Sequence, residues 1–322
     1  MDQVGILQDR IELELNSLEL PSEPKHLYEP IAYTLSNGGK RMRPLLVLMA
    51  CKVFNGNIEE AVHPAIGIEL FHNFTLLHDD IMDKAPLRRG MKTVHEKWNS
   101  HVAILSGDAI FIKAYLELVQ TNVLVLPNIL NDFNRTALQI CEGQQLDMDF
   151  ETIDSVSIDS YLKMIRLKTA VLLATSLKIG ATIGGADDHQ AELMYDFGLN
   201  AGIAFQLQDD ILDVYGEPGK VGKQKGGDII SNKKTFLLLK AMELAQTTDR
   251  NELNVLLSET DEHEKVKRMT ALYDKLGIRQ LAEQQMWHHY EKGMASLAQV
   301  KGDQRWTDTL RSFSNTLMHR ES

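Results

Sequence analysis

The chain predicts an all-α protein, a single-domain helical bundle over residues 1–322 with a central apolar cavity. Three observations carry that expectation. Apolar residues recur at helical spacing almost everywhere, alternation of β-branched residues is nearly absent, and several periodic runs reach 20–28 residues. Runs of that length make helices of about 30–40 Å, tall enough for a bundle to enclose a deep pocket.

In chain order the predicted helices cover 5–19, 25–36, 44–55, 60–83, 101–121, 127–150, 158–184, 188–215, 232–246, 262–275, 278–298 and 304–319. Gly38-Gly39 separates the second from the third, and Pro44 opens the third. Pro86 stands beyond the end of the fourth, and Gly184-Gly185 divides the seventh from the eighth. The eight prolines and the glycines are otherwise scattered, with no Ser/Gly-rich or single-charge block to act as a linker. One domain is therefore expected, and 43% hydrophobic residues supply its core.

The net charge of −11 argues against nucleic acid or an anionic membrane as the main partner. The start, "MDQVGILQDRIELEL", lacks the basic opening and apolar run of a signal peptide. No segment reaches the roughly 20 apolar residues that span a bilayer, so no membrane insertion is expected. Cys51 and Cys141 are too few for a disulfide framework and are expected to be buried free thiols. A cytoplasmic location follows as the expectation.

Chemistry concentrates in "LFHNFTLLHDDIMDKAPLRRG", where an apolar helical run ends in Asp79, Asp80 and Asp83. Residues three or four apart share a helix face. At an effective dielectric near 20, two unit charges about 5.5 Å apart repel by about 3 kcal/mol, so a cation is needed nearby. "HDDIMD" at 78–83 returns as "QDDILD" at 208–213, where Asp209, Asp210 and Asp213 again close a long helix. A single acidic cluster is ordinarily a solvated face; two alike, 130 residues apart (209 − 79), argue for shared work.

Oxygen ligands without His or Cys point to Mg²⁺ or Ca²⁺ rather than zinc. The alternating oxygens and central glycine of an EF-hand are missing. Mg²⁺ binds one or two carboxylates together with substrate phosphates, so the pair of motifs suggests a metal-bridged diphosphate. Basic turns accompany them: "GGKRMRP" with Lys40, Arg41 and Arg43, "PLRRG" with Arg88 and Arg89, and "GEPGKVGKQKGGD" with Lys220, Lys223 and Lys225. The last is not a Walker A loop, because Glu217 and Gln224 occupy positions that need glycine and Ser or Thr. Two basic sets suggest two diphosphates, one gripped mainly by Arg and Lys.

The order "GGKRMRP", "LLHDDIMDKAPLRRG", "KTA" at 168–170, "FQLQDDILD" and "VGKQKGGD", across about residues 37–235, resembles the trans-prenyl diphosphate synthases. The resemblance implies an isoprenoid-synthase fold, a homodimer, and head-to-tail condensation of isopentenyl diphosphate with an allylic diphosphate. It implies Mg²⁺ as cofactor, three ions with substrate bound, with Asp79, Asp80, Asp83, Asp209 and Asp210 as ligands and Asp213 as the weaker candidate. Lys40, Arg43, His72 and Arg89 match the isopentenyl diphosphate site, and Arg88, Lys168, Lys223 and Lys233 match the allylic one. Thr169 and Gln206 match dipoles that steady the cation. Ionisation needs electrostatic stabilisation of a leaving group, not a nucleophile, and no nucleophilic pairing is required. His72 shares the helical phase of Asp79, seven positions on. His288 and His289 read as structural.

Product length is expected to be set by Phe74 and Thr75, the fifth and fourth residues before the first motif. One aromatic beside a small residue resembles enzymes that stop near twenty carbons. On a regular helix Thr75 lies about 40° from the phase of Asp79 and Phe74 about 140°, so Phe74 is also a candidate core residue and a longer product stays open. A non-catalytic subunit, a terpene cyclase and a structural metal-binding bundle are the rivals. The cyclases normally carry a different second motif, and a structural bundle leaves the basic turns unexplained.

Overall fold

The computed structural model describes residues 3–216 and 226–319. Among these the chain forms α1 (Gln3–Asn16), α2 (Lys25–Ser36), α3 (Met42–Val53), α4 (Ile58–Met82), α5 (Val94–Lys97), α6 (Ser100–Leu118), α7 (Leu126–Thr152), α8 (Ile158–Ile165), a π turn (Arg166–Ala170), α9 (Val171–Ile183), α10 (Asp188–Tyr215), α11 (Gly227–Ile230), α12 (Phe236–Leu244), α13 (Thr247–Leu257), α14 (Glu262–Lys275), α15 (Ile278–Leu297) and α16 (Gln304–Met318). The all-α expectation holds. Two-residue strands β1 (Leu87–Arg88) and β2 (Met91–Lys92) pair antiparallel, Leu87 opposite Lys92 and Arg88 opposite Met91.

Five expectations are corrected. The run 158–184 is not one helix, because the π turn interrupts it, and an extra residue in a turn leaves hydrophobic spacing almost unchanged. The run 232–246 begins only at Phe236, since Asn232 has φ +53° and Thr235 is extended. Helix α13 has no counterpart among the expected helices: its opening "TTDRNE" is polar, and within it only Leu253 and Leu256 are buried. Cys51 is buried as expected, but Cys141 is exposed. Pro44 stands inside the first turn of α3 rather than at its start, where the backbone needs no N–H partner within the helix.

The chain divides into two compact units. The first comprises Met1–Phe133, Thr175–Met194 and Lys301–Thr307. Within it α4 packs along α6 and α3. The run Leu45 to Cys51 is buried throughout, as are Ala65, Ile66, Ile68, Leu70 and Phe71 of α4. Each such Leu, Ile or Phe contributes about 1.5–3 kcal/mol by leaving water. The side chain of Asn57 caps α4 by accepting from the Glu59 amide, and Glu59 and Glu60 suit the positive end of that helix.

The second unit comprises Asn134–Ala174, Tyr195–Val300 and Asp308–Ser322. Its core joins Ile203, Leu207, Ile211 and Val214 of α10 to Leu237 and Leu238 of α12, Met269 and Tyr273 of α14, and Met286 of α15. Asp210 lies seven positions after Ile203, on the same face, and is buried with it. Asp209, a third of a turn round, is half-buried. No helix among the described residues is long and apolar enough to cross a membrane.

Candidate active site

In the first unit the turn before α3 is locked by a residue that reads as a ligand but is structural. Arg41 takes a left-handed conformation, φ +44°, and is buried. It donates to Glu69 Oε1 at 2.9 Å, to Glu12 Oε1 at 3.1 Å and to the Leu35 carbonyl at 2.8 Å. Glu69, 3% exposed, also accepts from Asn73 Nδ2. That pinning leaves Lys40 exposed and fixes Arg43 in the first turn of α3.

The Arg43 guanidinium donates to His72 Nε2 at 3.0 Å, so the imidazole carries its proton on Nδ1. Burial, then the Arg43 charge, holds His72 well below the usual histidine range, and it is neutral. Burial also brings Arg43 down to about 10, with Glu69 opposing and Arg89 assisting. Its Nε is buried without a hydrogen-bond partner, an arrangement that keeps a charged donor ready for an acceptor. Arg89 and Gly90, φ +53° and +77°, form the two-residue turn between β1 and β2, a left-handed pair that matches strand twist. The Arg89 guanidinium donates to the Gly38 carbonyl, and a Cβ on Gly39 would stand 2.7 Å from Arg89 Nη1. Glycine at 39 is what admits the arginine.

Asp79 and Asp80 lie in the last turn of α4 and Asp83 caps it, at the negative end of the helix dipole, where a cation is favoured. The expected offsetting cation is Arg88, whose Nε is 2.7 Å from Asp80 Oδ1. Burial still raises Asp80 above the usual carboxylate range, with Arg88 acting the other way. Asp79 is half-buried like His72, and Asp83 is exposed. A hollow of about 370 Å³, open to solvent, lies among Asn37, Asn73, Asp80, Arg88 and Arg89. Phe74 belongs to an aromatic cluster, stacked on Phe111 with ring centres 4.9 Å apart and edge-on to His78 at 4.6 Å. Phe71 and Phe133 continue the cluster. Thr75 turns its hydroxyl back to the His72 carbonyl at 2.8 Å.

In the second unit, Lys168 and Thr169 lie on the π turn, a distortion that concentrates at functional sites. Gly143 of α7 runs against the Leu167–Lys168 backbone, where a side chain would collide. One turn further along α7, Asp147 Oδ2 is 2.6 Å from Lys168 Nζ. Gln144 is 9% exposed, and neither atom of its amide has a hydrogen-bond partner. Leaving such a group unpaired costs about 1–3 kcal/mol.

Thr169 Oγ1 donates to Gln206 Oε1 at 3.3 Å, and Gln206 Nε2 donates to Asp210 Oδ1 at 3.1 Å. The Tyr161 hydroxyl donates to Asp210 Oδ2. Burial first, then the Asp228 charge, pushes Asp210 up to about 7. Asp213 Oδ2 accepts from the Asp228 amide at 3.0 Å, tying the end of α10 to α11. Lys233 is exposed; Lys220, Lys223 and Lys225 lie outside the described residues. His289 meets Asn200 at 3.2 Å and reads as structural, as expected.

Among the described residues no three His, Cys, Asp or Glu side chains gather into a ready-made metal site. Carboxylates in short acidic motifs, without a closed cage, fit Mg²⁺, which takes one or two carboxylates and completes its shell with water and phosphate. Sequence reasoning missed Tyr161, Gln144, Asp147 and Glu69. A lone tyrosine in an apolar run signals only core, whereas Gly143 and Asp147, four apart on one helix face, were a readable clue.

The polyprenyl synthetase family model matches residues 24–276. The chain belongs to the polyprenyl synthetase family. A geranylgeranyl diphosphate synthase of Methanosarcina mazei is 38% identical over 245 residues, 76% of either chain. A geranylfarnesyl diphosphate synthase of Natronomonas pharaonis is 37% identical over 249 residues, 71% of this chain and 73% of that one. Among solved structures, a geranylgeranyl pyrophosphate synthase superposes with a TM-score of 0.95 at 41% identity and covers 100% of both chains.

Proposed function

We propose that this polyprenyl synthetase condenses isopentenyl diphosphate head to tail with an allylic diphosphate, giving a short-chain product that leans to twenty carbons. The observation that carries the reading is that two long helices, α4 and α10, each end in an Asp-Asp-x-x-Asp motif inside a chain whose family match runs from residue 24 to 276. The two motifs act on one allylic diphosphate, and residues 1–322 work as one catalytic domain.

Lys40, Arg43, His72 and Arg89 hold isopentenyl diphosphate. Neutral His72 accepts from Arg43 and presents Nδ1–H, so the site adds a donor without adding a fourth charge. Arg88, Lys168, Lys233 and Lys223 grip the allylic diphosphate. Asp79, Asp80, Asp83, Asp209 and Asp210 would hold Mg²⁺, with Asp213 the weaker candidate. When bound, Mg²⁺ supplies electrostatic stabilisation to the departing diphosphate.

The allylic C–O bond breaks with its electron pair leaving on diphosphate. The cation that remains lies near the Thr169 oxygen and the Gln206 dipole, which lower its energy without attacking it. The isopentenyl double bond attacks, and a proton leaves to diphosphate. Gln144, whose buried amide has no hydrogen-bond partner, follows Gly143, which packs against the Lys168 backbone. Phe74 and Thr75 limit chain growth, with Phe111 stacked on Phe74.

A homodimer accords with the exposed apolar stripe of Leu105, Ile112 and Leu116 on one face of α6, continued by Val119 at its C-cap. Work in the cytoplasm is part of the same proposal.

The test supplies purified protein with Mg²⁺, labelled isopentenyl diphosphate and starters of five, ten and fifteen carbons. Consumption of isopentenyl diphosphate with a twenty-carbon diphosphate as main product is expected. Cyclic hydrocarbon without isopentenyl consumption, or no turnover by the pure chain, overturns it.

A further inference from the structure

We propose that the buried Arg41–Glu69 ion pair is a positioning device for isopentenyl diphosphate: it holds the backbone of Arg41 in a left-handed turn, and that turn sets where Lys40 and the Arg89-bound Gly38 stand relative to Arg43. The inference rests on the condensation proposed above, with Lys40, Arg43 and Arg89 as the diphosphate contacts. Arg41 itself is no such contact. Its Nε, Nη1 and Nη2 each donate to a protein oxygen, on Glu12, Glu69 and Leu35, and its side chain is 6% exposed. Glu69 is enclosed with it, its side chain 4% exposed.

Arg41 is the N-cap of α3, and its carbonyl accepts from the Leu45 amide at 3.2 Å. A residue in that place ordinarily has an extended backbone. Arg41 instead has φ +44° and ψ +38°, a region that residues with a Cβ seldom enter and glycine enters freely. Gly38 and Gly39 reach positive φ without that penalty, so in this turn it is Arg41 that needs an outside hold. Glu69 supplies it, because relaxing Arg41 to the extended region would draw the guanidinium off a buried carboxylate. Asn73 Nδ2 fixes that carboxylate from the next turn of α4, donating to Glu69 Oε1 at 3.2 Å. His72 lies three positions after Glu69, so the helix face that carries the histidine also anchors the turn.

Arg43 is held independently, in the first turn of a buried helix and against His72. Lys40 and Gly38 precede the left-handed residue, and Arg89 donates to the Gly38 carbonyl, so two of the three cations follow what Arg41 does. The sign of the effect separates positioning from charge acting through space. Burial brings Arg43 and Arg89 down and the Glu69 charge opposes it at both, so the carboxylate is felt at the anion site. Removing a negative charge there by itself strengthens anion binding, whereas removing a positioning residue weakens it.

The test measures isopentenyl diphosphate binding by calorimetry and KM for both substrates at steady state. In Glu69→Gln the affinity for isopentenyl diphosphate is expected to fall, and its KM to rise, about tenfold, with KM for the allylic diphosphate and kcat within about threefold of wild type. Unchanged or tighter binding of isopentenyl diphosphate overturns the proposal, as does an equal rise in both KM values.

Two double variants, Arg41→Gly with Glu69→Gln and Arg41→Ala with Glu69→Gln, both lack the ion pair and both keep the net charge of the wild type. Glycine takes the left-handed turn unaided, so the first is expected to bind isopentenyl diphosphate within about threefold of wild type and the second about tenfold more weakly. Equal binding by the two overturns the proposal, and this comparison stands alone should Glu69→Gln fail to fold. Absence of any prenyl diphosphate from the wild-type chain is a different result: it removes the condensation, while the calorimetry still decides the turn.

Discussion

His72 is neutral in the folded protein because burial and four arginines, Arg43, Arg89, Arg88 and Arg41, oppose its protonation. The unfolded chain takes up that proton near pH 6.5, the folded chain only well below it. Stability from this site is therefore complete above pH 6.5 and falls as the pH drops toward the folded value, by up to about 1.4 kcal/mol per pH unit. Denaturant titrations between pH 7 and 5 check this: His72→Gln should lose less stability than wild type over that range. At the same scale, Asp79→Ala and Asp209→Ala should each lower kcat by at least about 10²-fold, as expected for removal of a preorganised electrostatic contact. Steady-state assays at saturating Mg²⁺ decide it, and wild-type turnover in either variant puts the metal elsewhere.

Along the elements, α4 and α6 meet through stacked Phe74 and Phe111, so the candidate floor of the product shaft is two rings thick. Phe74→Ala should lengthen the product while leaving the Mg²⁺ requirement intact, and Phe74→Ala with Phe111→Ala should lengthen it further. Chromatography of dephosphorylated products checks both, and an unchanged distribution in the double variant dismisses the pair.

These elements also mark where reading the sequence succeeds. The bounds of α10 and α14 were legible because a long amphipathic stripe ends at an aspartate cluster or at a Leu-Gly stop. The β1–β2 hairpin was not, since its two-residue strands carry no period. Nor was the π turn, whose extra residue moves Lys168 and Thr169 without changing the apolar pattern. At the site, aspartates, arginines and His72 could be named from their motifs. The pairings Arg88–Asp80 and Tyr161–Asp210, and the burial of Arg41 on Glu69, depend on three-dimensional proximity that no local pattern encodes.

For the whole molecule, the α6 stripe makes the oligomeric state testable. Wild type should sediment as a dimer, and the double change Ile112→Glu with Leu116→Glu should shift it toward monomer, because two carboxylates per copy would have to leave water at the interface. Sedimentation velocity across a concentration series reads the outcome, and an unchanged wild-type dimer in the double variant moves the interface away from α6.

The two thiols differ sharply in access: Cys51 is enclosed and pushed up to about 11, whereas Cys141 stands on the exposed surface of α7. A maleimide dye added to the unaltered chain should therefore attach at one address, once per copy. Mixing donor-labelled and acceptor-labelled batches would then give an energy-transfer signal that follows subunit exchange in real time, with no engineered cysteine.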